Sequence, residues 1–439
     1  MDNPNSIGLT GRPVFVVDGA RSPFLKARGR PGPLHAADLA TQTGRHLLLR
    51  QPFAPEQFDE VISGCVMPGP DEANIARVVA LRLGCGERMP AYTVQRNCAS
   101  GLQALDSAAR HIAAGRANLV LAGGVEAMSH APLLFTEAMV NWLADWSASK
   151  GLADRLRTLA RFRPAFLAPV IALLRGLTDP VVGMNMGQTA EQLAYRFGID
   201  RAAMDRFALR SHQRLAAAQE AGYLGEIVPL FDYQGQVYER DDGLRHDSSL
   251  ASLARLKPVF DRPFGQVTAG NSAQITDGAA WLILASEEAV ARYGLPVLGR
   301  IVDSHWAGLD PAQMGLGPVH AMAPIMARQG LDSPDIAAWE INEAFAAQVL
   351  ACLQAWQDPD YTRNELGLDK AFSAIDEARL NIDGGGVSIG HPVGASGARI
   401  VLHLLRVLER QGGRHGMASL CIGGGQGGAL LMEHLGGAV

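Results

Sequence analysis

The chain has 439 residues, 48% of them hydrophobic and 19% charged, which is core material for two or three folded units and excludes a disordered chain. A formal net charge of -5 without a basic stripe excludes a general nucleic-acid binder. Cys65, Cys85, Cys98, Cys352 and Cys421 form no CxxC pair and no Cys/His ligand spacing; that excludes a disulfide framework and a zinc site and points to a reducing cytoplasm.

Residues 1–7 carry no basic cluster ahead of an apolar run, so the sequence predicts a chain without a leader. The longest apolar run, Phe166 to Leu174, is far below the ~20 residues of a membrane-spanning helix. Strand-like runs then alternate with helix-like runs: Pro13 to Asp18, Leu34 to Leu49, Glu60 to Val66, Ala73 to Leu83, Ala91 to Val94, Ser100 to Ala114 and Leu119 to Ala122. This order predicts parallel strands with crossover helices in an α/β layered fold. Cys98 falls between the Ala91 to Val94 strand and the following helix. There the unpaired N–H groups and the helix dipole favour a thiolate and an oxyanion. A free cysteine is more often a small buried hydrophobe, so other residues must decide.

Residues 129–267 fit no repeat. Within them Leu152 to Leu177 carries Arg155, Arg157, Arg161, Arg163 and Arg175 among apolar residues, opposed only by Asp154. This is either a basic amphipathic surface for an anionic cofactor, a lipid surface or a partner subunit, or a solvated helix face. Pro164 and Pro169 break it as a helix. The C-terminal part repeats the first scheme. Ala337 to Gln348 has the order of the Cys98 region, a short strand, an Asn and a helix of small residues, while Met417 to Gln426 echoes Ala117 to Glu126. Two similar βαβ-type halves follow.

Three motifs join Cys98. Asn342-Glu343-Ala344-Phe345 sets an amide before a helix, where an Asn is commonly a plain cap. Gly384 to Arg399 is a glycine-studded loop in which Pro392 fixes the chain just after His391, leading into a helix from Ile400 to Leu408. It lacks the ending of a P-loop and the GxGxxG opening of a dinucleotide fold. Cys421 ends a strand before Gly423, Gly424 and Gly425. Two cysteines, a rigid histidine and an amide suit chemistry that needs a nucleophile and a separate acid/base.

With Asn-Cys-x-Ser-Gly, Asn-Glu-Ala-Phe, Gly-His-Pro-x-Gly-x-Ser-Gly and Cys-x-Gly-Gly-Gly-x-Gly in this order, the chain resembles the thiolase family over essentially its whole length. Ala20 to Phe24, Gly123 to Ser129, Met186 to Glu191, Val267 to Asn271 and Met314 to Pro318 add to the likeness. The resemblance implies a five-layer αβαβα fold: an N-terminal half of residues 1–128 and 268–292, an inserted loop domain of 129–267, and a C-terminal half of 293–439. It implies reversible acyl transfer between coenzyme A thioesters in fatty-acid β-oxidation, by an acetyl-CoA C-acyltransferase or C-acetyltransferase. Cys98 would become acylated and His391 would take its proton. Cys421 would move the carbon-bound proton, and Asn342 would hold a water that binds the thioester oxygen with His391. The N–H groups of Cys98 and Gly423 would form the second oxyanion hole.

Coenzyme A contacts would fall on Arg245, Ser252, Leu256, Phe260 and Ala269, with Met186 and Phe345 near the pantetheine. No tightly bound cofactor is implied, coenzyme A and acyl-CoA being substrates. The resemblance implies a homodimer or homotetramer, and the 152–177 segment resembles the insert of thiolase subunits in β-oxidation complexes, which brings in a partner subunit or a peripheral membrane contact. Two departures stand out. Ala273 replaces a serine that accepts from the pantetheine amide, with Ser272 one place earlier, and Asn342 stands where many such subunits have His. A decarboxylating ketoacyl synthase of the same fold would not need Cys421. A noncatalytic acyl-CoA-binding or scaffold subunit would be expected to lose Cys98, His391 or Cys421, and all three are present.

Overall fold

A computed structural model describes residues 8–436; residues 1–7, on which the expectation of a missing leader rests, lie outside the described residues. The strands are β1 (Phe15–Arg21), β2 (Leu25–Lys26), β3 (Glu60–Gly64), β4 (Ala91–Val94), β5 (Leu119–Ala127), β6 (Leu133–Leu134), β7 (Val170–Ile171), β8 (Leu230–Phe231), β9 (Val237–Tyr238), β10 (Thr276–Ala285), β11 (Gly299–Gly308), β12 (Ile336–Ile341), β13 (His415–Ile422) and β14 (Gln426–Glu433). The first helices are α1 (Ala36–Leu48), α2 (Ile75–Arg82), α3 (Ser100–Ala113), α4 (Glu137–Ala148), α5 (Leu152–Ala160), α6 (Ala172–Gly176), α7 (Met186–Arg196) and α8 (Arg201–Glu220). They are followed by α9 (Leu250–Ala254), α10 (Glu287–Tyr293), α11 (Gly317–Gln329), α12 (Ala346–Gln357), α13 (Pro359–Glu365), α14 (Gly386–Ile389) and α15 (Val393–Gln411).

Ten strands run in the order β12-β13-β14-β11-β1-β10-β5-β3-β4, with β2 on β10. The middle of this path is thin, since β1 meets β11 only through Phe15 with Arg300 and Val16 with Gly299. Either side of it the halves match: β1, β10, β5, β3, β4 on one, and β11, β14, β13, β12 and the bridge of Trp339 to Leu380 on the other. Among the named strands parallel pairing is confined to β3 with β4 and β5, and to β12 with β13, whereas β10 and β14 run antiparallel to their neighbours. The four strands read in the N-terminal alternation, β1, β3, β4 and β5, do share one direction, since β10 is antiparallel to both β1 and β5; the antiparallel members are β10 and β14, the latter joined to β13 by a short turn that only antiparallel strands permit.

The repeat also needs realignment. The echo of β5 in β13 holds, but β12 occupies the place of β3, so the Ala337 to Gln348 segment is not the counterpart of the Cys98 strand. The counterpart of β4 is the bridge at Leu380. Asn97 and Asn381, with φ of 43° and 46°, are the positive-φ residues other than glycine among those described, and each follows one of these edge segments. Asparagine tolerates that region better than other side chains.

Three cores account for the layers. One holds α1 and α2 against the outer face of the N-terminal strands, one holds α11 and α12 against the C-terminal strands, and the third packs α3 and α15 between the two sets. Helix α15 is buried all round from Val393 to Leu405, as a helix between two sheets must be. Its start and that of α3 come close because both carry glycine. A Cβ at Gly101 would lie 2.7 Å from the Gly394 carbonyl oxygen, and one at Gly397 2.4 Å from the Leu102 nitrogen. Helix α15 begins at Val393, seven residues before the expected Ile400.

Between β5 and β10 the chain makes α4 to α9. The Leu152 to Leu177 segment is broken as its prolines predict, into α5, a 3-10 turn Pro164–Leu167, β7 and α6. Its surface is unusually apolar: Leu152, Leu156, Leu159, Leu167 and Leu174 are exposed, and all five arginines are exposed among them. No described helix is long and apolar enough to cross a membrane.

Candidate active site

Four segments meet where α3 and α15 begin. The first is the turn after β4. Asn97 adopts its left-handed backbone, the Arg96 N–H donates to Ser100 Oγ at 2.8 Å, and Ser100 Oγ donates to the Asn97 carbonyl at 2.8 Å. Cys98 stands two residues ahead of α3, half-buried on a cavity of about 420 Å³. The second segment is the turn after β13: Asn97 Nδ2 donates to the Gly423 carbonyl at 2.8 Å, binding the two turns together. The N–H groups of Gly423 and of Cys98 itself lie toward the Cys98 sulfur.

Burial nevertheless pushes the Cys98 thiol up, and those N–H groups pull back only in part. The thiolate expected from the helix terminus is therefore corrected. Cys98 precedes the capping residue Ala99, and desolvation outweighs the local donors, so the resting group is a thiol that needs a base. Cys421, fully buried at the end of β13, is pushed well above its ordinary value, first by burial and then by Cys98. It too is a thiol at neutral pH, able to donate.

The third segment is the glycine loop. His391 is buried, and burial, aided by the Arg399 charge, lowers it to about 4, so its imidazole is neutral at pH 7. Ser396 Oγ donates to the Pro392 carbonyl at 3.1 Å and lies 2.6 Å from His391 Nδ1. With its proton so engaged, Ser396 accepts the Nδ1 hydrogen, and the lone pair of His391 is left at Nε2. The fourth segment brings Asn342, whose Nδ2 lies 3.4 Å from that Nε2 and 3.5 Å from Nδ1. Asn342 Oδ1 is buried and has no hydrogen-bond partner among the described residues, an acceptor suited to the water expected there.

Two buried carboxylates frame this site. Glu126 accepts from the N–H groups of Val66 (2.9 Å), Met67 (2.9 Å) and Gly394 (3.0 Å), and burial pushes it up to about 7 against their pull. Glu343 accepts from Ser211 Oγ (2.6 Å), Asn381 Nδ2 (2.8 Å) and the Val387 N–H (3.2 Å), holding the glycine loop to the Asn342 turn. Sequence reasoning quoted the motifs of Ser396, Glu126 and Glu343 without giving these residues a role. A carboxylate inside an otherwise apolar strand or turn is the signal that marks the two glutamates.

Of the seven expected coenzyme contacts, Met186 borders the Cys98 cavity. Phe260 and Phe345 meet edge to face at 5.8 Å, and the Phe260 ring covers Gly187 on α7. Arg245 reaches the Ala269 carbonyl at 3.4 Å, and Leu256 packs over Gly270. Ser252 caps α9 through Ser249. Apart from Met186, these residues thus form two groups outside the cavity rather than one lining. Ser272 Oγ donates to the Thr268 carbonyl at 2.7 Å, so its hydroxyl is turned to the backbone beside Ala273. The arginines of α5 and of the following turn do not border the cavity, but the segment from Ala172 to Val181 roofs it.

Comparison with known proteins places this arrangement. The family described as thiolase, N-terminal domain, matches residues 14–288, and thiolase, C-terminal domain, matches 295–434. A 3-ketoacyl-CoA thiolase of Yersinia pestis (strain Pestoides F) is 36% identical over 427 residues, 96% of this chain and 97% of that protein. The crystal structure of the Bacillus anthracis acetyl-CoA acetyltransferase superposes with a TM-score of 0.83 at 36% identity, covering 97% of this chain and 100% of the other. That of human mitochondrial 3-ketoacyl-CoA thiolase in complex with CoA gives 0.83 at 35% identity, covering 98% and 100%. Fold and site define an acyltransferase that works between coenzyme A thioesters. The chain belongs to the thiolase family.

Proposed function

We infer that the protein is a 3-ketoacyl-CoA thiolase of fatty-acid β-oxidation, cleaving its substrate with coenzyme A into acetyl-CoA and a shortened acyl-CoA. The observation that carries this reading is the pairing of Cys98 with the Gly423 N–H and the Cys421 thiol, and of neutral His391 with Asn342, on turns at the adjoining starts of α3 and α15. Cys98 passes its proton to His391 Nε2 and attacks the 3-keto carbon; the oxyanion rests on the N–H groups of Cys98 and Gly423. The bond between the second and third carbons breaks, and Cys421 protonates the departing acetyl-CoA enolate, whose oxygen is held by His391 and the water on Asn342. Coenzyme A then gives its thiol proton to the Cys421 thiolate and attacks the acyl carbonyl. Cys98 leaves as thiolate and regains its proton from His391, closing the cycle.

The reverse condensation uses the same groups. Arg245, Ser252, Leu256, Phe260 and Ala269 contact coenzyme A, Arg245 pairing with the phosphates of its nucleotide end, and Met186 and Phe345 lie near its pantetheine. The direct pairing of β5 with β10 across residues 128–275 supports the division into a split N-terminal half, an insert and a C-terminal half. Strand β4, half-buried and paired on one edge, supports a homodimer or homotetramer. The free thiols support a reducing cytoplasm. The exposed leucines and arginines of 152–177 support a peripheral contact with acidic lipid rather than an anionic-cofactor site, since the cavity does not reach those of α5.

The test is thiolysis. Purified protein with coenzyme A and a 3-ketoacyl-CoA should release acetyl-CoA, and a substrate-derived acyl group should be found by mass spectrometry on Cys98. Failure of both across acetoacetyl-CoA and longer substrates would overturn the reading.

A further inference from the structure

His403 lies outside the catalytic groups, buried on α15. Each of its ring nitrogens faces a carboxylate: Nδ1 lies 3.0 Å from Glu226 Oε1, and Nε2 lies 3.1 Å from Asp383 Oδ2. A neutral imidazole carries one N–H and would turn a bare lone pair on one of the two. Both contacts are attractive only when both nitrogens are protonated, so His403 is an imidazolium.

The two carboxylates belong to different parts of the molecule. Glu226 lies in the insert between α8 and β8, and its Oε1 also accepts from Arg21 Nε on β1. Asp383 heads the glycine loop that carries His391: Asn381 ahead of it has a left-handed backbone, and the Gly384 N–H behind it donates to the Asn381 carbonyl at 3.0 Å. Glu343 holds this loop from the Asn342 side, while on the α15 side Asp383 is held by His403 and by Arg410 at 2.7 Å.

The other charges packed around His403 have partners of their own. Arg21 meets Glu226 and Asp241, and Arg399, one turn back on α15, meets Glu340 at 2.9 Å. Arg214 donates to the carbonyls of Leu380 and Asn381, and Arg406 faces Asp18 and Glu409. Burial opposes the charge on His403, but Glu226, then Asp383 and Glu340, outweigh it and raise the group to about 9.

We propose that His403 is a positioning residue for the reaction: clamped between Glu226 and Asp383, its imidazolium ties the head of the glycine loop to the insert and so sets where His391 meets the Cys98 thiol. The inference rests on the thiolase reading. With that proton gone, a buried carboxylate faces a lone pair, and the loop is released on its α15 side. The unfolded side chain titrates near ~6.5, so the proton stabilises the fold in full below that value, and the contribution is lost as pH rises through about 9.

The experiment measures kcat and KM for coenzyme A over about pH 6–10 in the wild type, His403→Gln and Asp383→Asn, with acetoacetyl-CoA or 3-ketooctanoyl-CoA, whichever the wild type cleaves faster. Wild-type kcat should show an alkaline limb near about 9. His403→Gln should lower kcat about ten- to a hundredfold, the effect of a small misplacement, with KM little changed and that limb gone. Asp383→Asn keeps His403 but removes one carboxylate, so the limb should move to lower pH by about one unit or more; this variant decides the matter where His403→Gln does not fold. Wild-type kcat in His403→Gln, or a loss of rate with the limb unmoved in both variants, would overturn the inference and leave His403 to packing. Alkylation of Cys98 by iodoacetamide at neutral pH reads His391 as a base without any substrate, and it should slow in His403→Gln. No thiolysis by the wild type would remove the thiolase reading, whereas an unchanged alkylation rate would remove the clamp.

Discussion

Ser396 Oγ lies 2.6 Å from His391 Nδ1 and gives its own proton to the Pro392 carbonyl. One hydroxyl thus fixes which imidazole nitrogen is free to take a proton. Ser396→Ala removes that acceptor and leaves the Nδ1 hydrogen buried. A lost hydrogen bond of about 1–2 kcal/mol should lower kcat roughly tenfold with KM little changed. Ser396→Thr should restore most of the rate if its hydroxyl keeps the same partners. Equal losses in kcat and stability for both variants would reduce Ser396 to packing.

The pH profile follows from His391. Burial favours its neutral form and lowers it to about 4, whereas the unfolded side chain titrates near ~6.5. The base is therefore competent above about 4, and the acid limb contributed by His391 should fall well below the range of an exposed histidine. The stability sign is set by the same group: between about 6.5 and 4 the unfolded chain binds a proton that folded His391 does not. This contribution is present above the unfolded value and diminishes as pH falls through that window. Kinetics at saturating coenzyme A and denaturant titrations at each pH measure the two effects separately.

The two thiols should separate by half-reaction. Cys98→Ala should abolish acyl transfer while coenzyme A still binds, measured by calorimetry. Cys421→Ala should still let Cys98 take an acyl group from acyl-CoA, seen as a mass increment, yet neither condense nor cleave. Intact condensation in the second variant would remove Cys421 from proton transfer at carbon.

How much of this was legible in the sequence depends on the kind of information. Cys98, His391 and Cys421 were found because each sits in a short motif whose glycines or proline impose a local backbone, which sequence encodes well, and Asn342 because its Asn-Glu-Ala-Phe motif falls in order with theirs. The common direction of β1, β3, β4 and β5 was legible in their alternation with helices, whereas β10 and β14 lie outside that alternation and nothing in their apolar runs marks them as antiparallel. The order of a short strand, Asn and helix does not identify a sheet position, which is why the β12 segment was matched to β4 instead of β3. The roof of the cavity is long-range, with Leu173 and Cys98 far apart in sequence. The thiolate expected at Cys98 failed because burial, which no motif displays, exceeds the help of two N–H groups.

Arg21 offers a stability test away from the chemistry. It is fully buried on β1, with its NH1 and NH2 donating to the two oxygens of Asp241 at 2.7 and 2.8 Å and its Nε to Glu226 at 3.3 Å. Arg21→Met would strand two buried carboxylates, of which Glu226 keeps His403 at 3.0 Å but Asp241 loses its cation. Breaking such a pair costs about 3–5 kcal/mol, to be measured by urea unfolding. Asp241→Asn in the same background should recover part of the loss by removing the stranded charge.

The outer face of the insert makes the last prediction. Arg155, Arg157, Arg161, Arg163 and Arg175 stand exposed among exposed leucines in a chain whose net charge is -5. Acidic vesicles should therefore bind the protein at low salt, each arginine contributing about 1 kcal/mol near the surface, while neutral vesicles should bind far less. Arg161→Glu with Arg163→Glu should release it in a cosedimentation assay without changing thiolysis of soluble substrate, because neither residue borders the Cys98 cavity. Binding that survives both the double variant and high salt would assign the contact to the leucines alone. Absence of binding to either vesicle would leave this face to a protein partner.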